Sequence, residues 1–210
     1  MQLFILMVVI VTIFNVVVFR RGLAQNRKLI LDTCTIVESV FEPIDTLYTN
    51  IGGVVGYNMH YALNSPFISL DGVVTTSPRH TMFYLPISRL IGRTDSLILS
   101  ISVEFLQAGE AHIVALNPFQ KGRIQLDDIE QMRQTTIHDR RFAILSYNDI
   151  QEARMRELFD SLSDPSGLVH IGFYGSSRCF SVVADPTTPA IQTLLTDIRD
   201  GLRAQNKRTT

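Results

Sequence analysis

The sequence predicts an α+β protein with a single transmembrane helix, a juxtamembrane helix, an antiparallel β meander, a βαβ-like C-terminal part and a terminal amphipathic helix. Three observations support this fold class: an apolar run near the N-terminus, short segments of alternating polarity after Gly52, and helix-capping patterns in the C-terminal half. Of the 210 residues, 46% are hydrophobic and 19% are charged. This composition is typical of a folded chain with a sizeable core.

The apolar run extends from Leu3 to Phe19 with only two polar interruptions. At about 1.5 Å per residue it forms roughly 26 Å of helix, slightly less than a hydrocarbon core of about 30 Å. A cleaved signal peptide is the main alternative. However, no Lys or Arg precedes the run, and residues 22–24 are a poor cleavage site. We therefore predict a retained anchor over residues 1–20.

Four basic residues follow the apolar run: Arg20, Arg21, Arg27 and Lys28. Basic residues are retained on the cytoplasmic side of a membrane, so we expect the N-terminus outside and the soluble domain in the cytoplasm. The same cluster would attract anionic lipid head groups. In the cytoplasm Cys34 and Cys179 would stay reduced, whereas an exported domain would allow a disulfide between them.

The predicted juxtamembrane helical segment covers residues 21–51. Apolar residues recur from Ile30 to Ile51 at alternating spacings of four and three, which is the seam spacing of a coiled coil. Pro43 would clash with a preceding carbonyl, so we expect a helix from about residue 28 to residue 42 and then a break. The helix either forms a dimer or packs on its own domain. The candidate interaction seam comprises Ile30, Cys34, Val37 and Phe41.

Strand patterns begin after Gly52, where the predicted soluble domain 52–204 starts. Residues 55–63 and 97–105 alternate strictly between apolar and polar side chains, as half-buried strands do. Asp71-Gly72 is a typical tight-turn dipeptide between two short extended pieces, at 67–70 and 73–76. Further strands are expected at 81–85 and 112–116, the latter after a hairpin loop at 107–110. Consecutive strands with short turns indicate an antiparallel meander.

The C-terminal half carries helix signals between strands. Asp127 and Glu130 match a capping box and predict a helix to about Thr135, and Asp149 and Glu152 repeat this pattern. Thr188 and Pro189 are a typical helix start, and an apolar stripe follows them. The polar tail 205–210 is expected to fray. Strands are expected at 141–146, 168–174 and 179–184, the last two as a hairpin.

No motif identifies an activity. The histidines, which are His60, His80, His112, His138 and His170, have no metal-ligand spacing, and we predict neither a metal nor a cofactor. Gly52–Gly56 lacks the Lys-Ser/Thr of a phosphate-binding loop. Nineteen basic residues balance 20 acidic ones, which argues against nucleic-acid binding. The pairing of histidines across strands is not visible in a sequence.

We therefore interpret the chain as a membrane-anchored, non-enzymatic protein whose domain binds a protein partner or assembles with copies of itself. Two alternatives stay open. One is a membrane-tethered, hydrolase-like enzyme, which a site combining two histidines and a carboxylate would favour. The other is an exported binding domain, which oxidation of the two cysteines would favour.

Overall fold

A computed structural model describes residues 1–81, 94–104, 109–116, 132–139 and 141–209. These residues form three helices, which are α1 (Gln2–Phe41), α2 (Asp149–Asp160) and α3 (Ile191–Thr209). They also form nine strands: β1 (Asp45–Asn50), β2 (Gly56–Ala62), β3 (Phe67–Thr75), β4 (Ser96–Val103), β5 (Glu110–Ala115), β6 (Arg133–Ile137), β7 (Phe142–Ser146), β8 (Leu168–Tyr174) and β9 (Cys179–Ala184). The α+β fold class is thereby confirmed.

All nine strands join one antiparallel sheet in the order β1-β2-β3-β4-β9-β8-β5-β7-β6. The predicted meander is present over β1 to β4. The expected hairpin between β4 and β5 is wrong, because the β8–β9 hairpin lies between these strands and pairs with both. Residues 107 and 108 of that expected loop lie outside the described residues.

Alternation along the strands gives the sheet two different faces. The inner face is apolar and packs against the helices; its fully buried residues include Tyr61, Leu70, Leu99, Ile171 and Ile113. Helix α3 contributes the predicted apolar stripe, since Ile191, Leu194, Leu195, Ile198 and Leu202 are all buried. The Arg199 guanidinium of α3 donates a hydrogen bond of 2.6 Å to the carbonyl of Val40 in α1. The two helices are therefore held together over the sheet.

Helix α1 joins the apolar run to the domain without a linker. Residues 1–17 are exposed, and the buried positions begin at Gly22. The predicted break before Pro43 is confirmed, because the helix ends at Phe41 and Glu42 adopts a left-handed conformation with φ 48°. A residue that precedes proline is disfavoured in the helical region. The helical expectation fails after this point, where residues 45–50 form strand β1.

The dipeptide Asp71-Gly72 does not form a turn, because β3 continues through it. Gly72 pairs with Met59 on one side and Leu99 on the other. A Cβ at this position would lie 2.5 Å from Met59 Cγ and 3.0 Å from Leu99 Cδ2. The glycine therefore makes room for neighbouring side chains, and the turn prediction misread its role.

Three predictions in the C-terminal half need correction. The helix expected from Asp127 to Thr135 is wrong at its end, since residues 133–137 form β6, and residues 117–131 are not described. Helix α2 is confirmed, but Asn148 caps it by accepting a 2.9 Å hydrogen bond from the Gln151 N–H. The tail expected to fray from 205 stays helical to Thr209.

One expected strand in the N-terminal half cannot be compared with the structure. It was expected at 81–85, and residues 82–85 lie outside the described residues.

Candidate functional site

The four predicted seam residues lie in the chain's own core. Ile30, Cys34, Val37 and Phe41 expose 3%, 8%, 0% and 4% of their surface, and the Phe41 ring packs edge-on against Phe67 at 6.2 Å. This arrangement agrees with the alternative that the helix packs on its own domain. In this conformation the four side chains are not available to a second copy. Their use as an oligomer seam stays a prediction that requires α1 to leave the sheet.

A buried polar cluster connects α1 to the sheet just after the apolar run. We call Asn26, Ser77, Arg79 and Asp95 the junction cluster. The Asn26 amide donates to the Ser77 carbonyl at 2.8 Å and accepts from the Arg79 guanidinium at 2.9 Å. Arg79 donates two hydrogen bonds to the Asp95 carboxylate, at 2.8 and 2.5 Å. Asn26 is fully buried and Asp95 is 6% exposed.

The charges of the junction cluster are paired. Burial alone would raise the pKa of Asp95, but the Arg79 guanidinium and the Ser77 N–H outweigh burial and lower that pKa. Gly22 allows the close approach of the chain segment that carries Arg79, because a Cβ on Gly22 would collide with the Arg79 backbone. The junction therefore fixes the domain to α1 within about two turns of the apolar run.

A second buried cluster combines two histidines and a carboxylate. His112 Nδ1 lies 3.2 Å from His170 Nε2, and His112 Nε2 lies 3.0 Å from Glu110 Oε1. The two imidazoles stack with centroids 5.3 Å apart and are 0% and 3% exposed. We call Glu110, His112 and His170 the histidine cluster. The sequence left such cross-strand pairing open, because only the register of β5 and β8 reveals it.

Register and a glycine together create the histidine cluster. His112 pairs with Gly172, and His170 lies on the same sheet face, two residues before Gly172. A Cβ on Gly172 would lie 2.7 Å from both His112 Nδ1 and His170 Cε1. Any larger residue would push the two rings apart. The glycine in the predicted strand 168–174 is therefore the one local signal that the sequence offered for this site.

The histidine cluster is uncharged at its buried end. Burial, together with the neighbouring His112, lowers the pKa of His170 to about 3. Burial also lowers the pKa of His112, although the Glu110 carboxylate opposes this effect. Two neutral imidazoles can form a chain of hydrogen bonds from His170 through His112 to Glu110, which is partly exposed.

The histidine cluster has no metal-binding geometry within the described part of the chain. They contain no group of three or more His, Cys, Asp or Glu side chains arranged to hold a metal ion. Both nitrogens of His112 already face partners, which are His170 and Glu110. The geometry supports a neutral, hydrogen-bonded pair that connects β5 to β8.

A third polar group, the pair His60–Asp71, is exposed on the outer face of the sheet. His60 Nδ1 and Asp71 Oδ1 are 2.6 Å apart across β2 and β3, beside a cavity of about 350 Å³. Ser100 is the next residue in the same cross-strand row, but it pairs with Asp71 and lies on the far side of it from His60. A catalytic triad needs the serine next to the histidine. This row therefore does not form a triad.

The two other histidines contact aromatic rings. His80 packs edge-on against Phe19 at 5.8 Å, and its Nδ1 is buried without a hydrogen-bond partner. His138 contacts Phe142 and Phe159.

Strand β1 forms one edge of the sheet, and all six of its residues are exposed. Leu47 is 63% exposed, and the flanking Ile44 and Ile51 are 67% and 48% exposed. The Tyr48 hydroxyl contacts the Glu38 carboxylate of α1 and lies 2.5 Å from the Tyr61 hydroxyl. Natural edges usually carry lysine, proline or a bulge that blocks further pairing, and β1 carries neither lysine nor proline.

No protein-family model matches the chain, and no curated protein is similar enough in sequence to count as a relative.

Helix α1 is the feature that bears most directly on where the protein is located. Within the described part of the chain, it is the one helix that is long and apolar enough to cross a membrane, and its most apolar window is not buried at all. A signal sequence would meet the same criterion. The fold and these sites together define a class of protein, an α+β domain that follows a candidate membrane-spanning helix.

Proposed function

We propose that the protein is a single-pass membrane protein with a cytoplasmic, non-enzymatic assembly domain that binds an extended segment of another membrane-associated protein along strand β1. The observation that carries this proposal is the fully exposed edge strand β1, which presents Leu47 and is flanked by the exposed Ile44 and Ile51. An unpaired edge offers a row of backbone donors and acceptors to an incoming strand. Strand addition of this kind is a common mode of peptide recognition.

The exposed apolar half of α1 supports the anchor. Leu3, Phe4 and Met7 are 80%, 71% and 67% exposed, and such a continuous apolar surface is very unfavourable in water. A lipid bilayer removes this surface from water without any further protein. The four basic residues after Phe19 favour the cytoplasmic side for the domain.

The direction of β1 favours a different protein over a second copy as the occupant. Asn26 contacts Ser77 near the apolar run, whereas Phe41 contacts Phe67 at the far end of the helix. Strand β3 therefore runs from Phe67 towards the bilayer, and β1 runs in the same direction because both pair antiparallel with β2. Two copies in one membrane would present their β1 edges in parallel. Parallel pairing is the less stable arrangement, so we propose an antiparallel strand from another protein.

A matched pair of variants tests the proposal. Leu47→Lys places a charge on the β1 edge, and Ile68→Lys places the same charge on β3, where Ile68 is 52% exposed but not at an edge. Tagged protein would be purified from membranes in mild detergent, with a photo-crosslinking residue at Thr46 to identify what touches β1. We expect a defined partner that Leu47→Lys loses and Ile68→Lys retains. Equal recovery with both variants, or no adduct at Thr46, would refute the proposed function.

The histidine cluster favours a second candidate, the membrane-tethered hydrolase, because two histidines do converge with a carboxylate. Its test is a panel of chromogenic carboxylic and phosphate esters with the wild type and His170→Asn. Hydrolysis that disappears in His170→Asn would establish the enzyme, and its absence across the panel would leave the assembly domain as the better account.

A further inference from the structure

A groove of about 310 Å³ lies between α1 and the β1–β2 hairpin, at the end of β1 nearest the apolar run. Helix α1 lines it with Arg27, Ile30 and Leu31, and the hairpin strands line it with Asn50 and Tyr57. Asn50 pairs with Tyr57, which packs against the core on the face that the helices cover. Asn50 and Leu31 are both exposed, so the groove opens beside the inner face of the β1 edge.

The groove carries a cation that is available to a ligand. Arg27 is exposed, and within the described ranges its guanidinium has no ion-pair partner. The neighbouring Lys28 points about 100° away around the helix and pairs with Asp32 at 2.7 Å. An acidic side chain that enters the groove would therefore gain a charge-assisted hydrogen bond with Arg27.

The other end of β1 is negatively charged. The Glu38 carboxylate of α1 contacts the Tyr48 hydroxyl, and Glu42 and Asp45 are exposed where the chain enters the strand. Among the described residues, no Lys or Arg pairs with any of these three carboxylates. The free edge therefore has an acidic end at the start of β1 and a basic end beside the groove.

The spacing of the two charges along α1 matches a short extended peptide. Arg27 and Glu38 are eleven residues apart, so they lie on the same side of the helix and about 16 Å apart along it. About five residues of an extended strand cover this distance, and side chains on one strand face recur every second residue. Because Glu38 reaches Tyr48, the shorter even spacing, four residues, fits the two charges.

The backbone of β1 can hold such a peptide beside the groove. The Ile51 N–H donates to the Gly56 carbonyl at 3.1 Å, and the hydrogen bonds of an antiparallel pair alternate along each strand. The N–H and C=O groups of Asn50 and Tyr48 therefore face the free edge. Residues that lie directly opposite one another in such a pair share a sheet face.

We propose that the segment bound at β1 has an acidic residue near its N-terminal end, a basic residue four positions later and an apolar residue just before the basic one. This inference rests on the proposed strand addition and adds the chemistry of the partner. A strand antiparallel to β1 runs away from the bilayer, so its N-terminal end lies beside the groove. The acidic side chain lies opposite Asn50 and meets Arg27.

The rest of the segment follows from the same register. The basic side chain lies opposite Thr46, on the inner face, and meets the Glu38 carboxylate. The apolar side chain lies opposite Leu47, which is 63% exposed, and packs on it from the outer face. The order of the charges therefore selects the direction of the partner as well as its chemistry.

The test uses the full chain in an uncharged detergent and two fluorescent peptides of equal composition. The forward peptide is Thr-Glu-Thr-Val-Leu-Lys-Thr, and the exchanged peptide has Glu and Lys in each other's places. We expect the forward peptide to bind about tenfold more tightly at low salt, because the exchange turns two attractions into two repulsions, and high salt to reduce this preference. A photo-crosslinker at its N-terminus should label residues 50–54, and one at its C-terminus residues 42–46.

Three variants assign the preference to the two charges. Arg27→Gln should reduce it from about tenfold to about threefold, because one of the two ion pairs is lost. Lys28→Gln removes the same charge from the next residue, outside the groove, and should leave the preference unchanged. Glu38→Gln keeps a hydrogen-bond acceptor for Tyr48 and should act as Arg27→Gln does.

Several results would overturn the inference alone. They are equal binding of the two peptides, a preference for the exchanged peptide, equal effects of Arg27→Gln and Lys28→Gln, and reversed labelling by the two crosslinkers. Dimers that Arg27→Gln dissociates would assign the groove to a second copy, and phosphatidylglycerol binding that Arg27→Gln abolishes would assign it to a lipid phosphate.

The crosslink at Thr46 separates this inference from the proposed function. A partner captured there whose crosslinked segment lacks the pattern would overturn the inference and leave strand addition at β1 intact. If neither peptide binds and Thr46 captures no partner, the proposed function fails together with the inference.

Discussion

The two halves of the sheet differ in how they meet their surroundings. In the open half, β1 to β4, strands β2 to β4 bury one face and leave parts of the other face open, and β1 is exposed along its whole length. Strands β7 and β8 are buried on both faces, as the unbroken burial of Phe142–Ser146 shows. The open half carries the exposed His60–Asp71 pair, whereas the closed half holds the neutral pair His112–His170. The open half is therefore suited to contacts, and the closed half to stability.

The largest effect is expected at the helix that joins the open half to the anchor. Val37→Asp buries a carboxylate at a fully buried position, and we expect it to destabilise the domain by more than about 4 kcal/mol. Leu31→Asp, at a 57% exposed position of the same helix, should have little effect. Urea unfolding of both variants measures the difference. A Val37→Asp protein that stays folded and loses only self-association would instead support the interpretation of this helix as a coiled-coil seam.

We expect the second-largest loss of stability at the junction cluster. Arg79→Met leaves the Asp95 carboxylate buried and unpaired, and we expect a loss of about 3–5 kcal/mol. Adding Asp95→Asn to this variant removes the stranded charge and should recover part of the loss. Thermal unfolding of the single and double variants is the measurement. Equal stability of wild type and Arg79→Met would show that the junction does not hold the domain on α1.

In the closed half, Gly172→Ala should destabilise the domain by about 1–3 kcal/mol because the added methyl group crowds both imidazoles. The same change in a His170→Ala background should cost less, since the crowded ring is gone. A double-mutant cycle by chemical denaturation isolates this coupling. Additive effects would mean that the glycine does not make room for the histidines.

The smallest effect is the pH dependence of the unfolding free energy that His170 gives to the closed half. The folded-state pKa of His170 is about 3, against 6.5 for an ordinary histidine, so below pH 6.5 the unfolded chain binds more protons than the folded one. Stability is therefore full above pH 6.5 and falls below it, by up to about 1.4 kcal/mol per pH unit from His170. Urea unfolding at pH 7 and pH 5 should show a smaller drop for His170→Asn. An equal drop in both proteins would contradict the neutral pair.

The sequence predicts a half of the sheet well where local residue patterns determine its structure. Alternation in residues 55–63 and 97–105 marks one buried face, and this pattern predicted β2 and β4 correctly. The order of the closed half depends on where the β8–β9 hairpin inserts, and no local pattern encodes that choice. Gly72 shows the same limit, because a glycine that admits Met59 and Leu99 looks like a turn residue until its neighbours are known.

The candidate sites were less predictable than the fold. The seam spacing of Ile30, Cys34, Val37 and Phe41 correctly marks one apolar face, but spacing does not say whether a second copy or the chain's own sheet covers that face. The junction cluster joins residues 26, 77, 79 and 95, and the histidine cluster joins residues 110, 112 and 170. Both depend on contacts between distant parts of the chain.

The anchor is the central claim, and membrane fractionation tests it most directly. Ile10→Arg places a charge near the middle of the apolar run, at a cost of about 3 kcal/mol for a spanning helix. We predict that the wild type and the control Ile68→Arg resist alkaline extraction and stay with the membrane. Ile10→Arg should instead release the protein or prevent it from accumulating. Unchanged fractionation of Ile10→Arg, or a wild type found in the soluble fraction, would contradict the account.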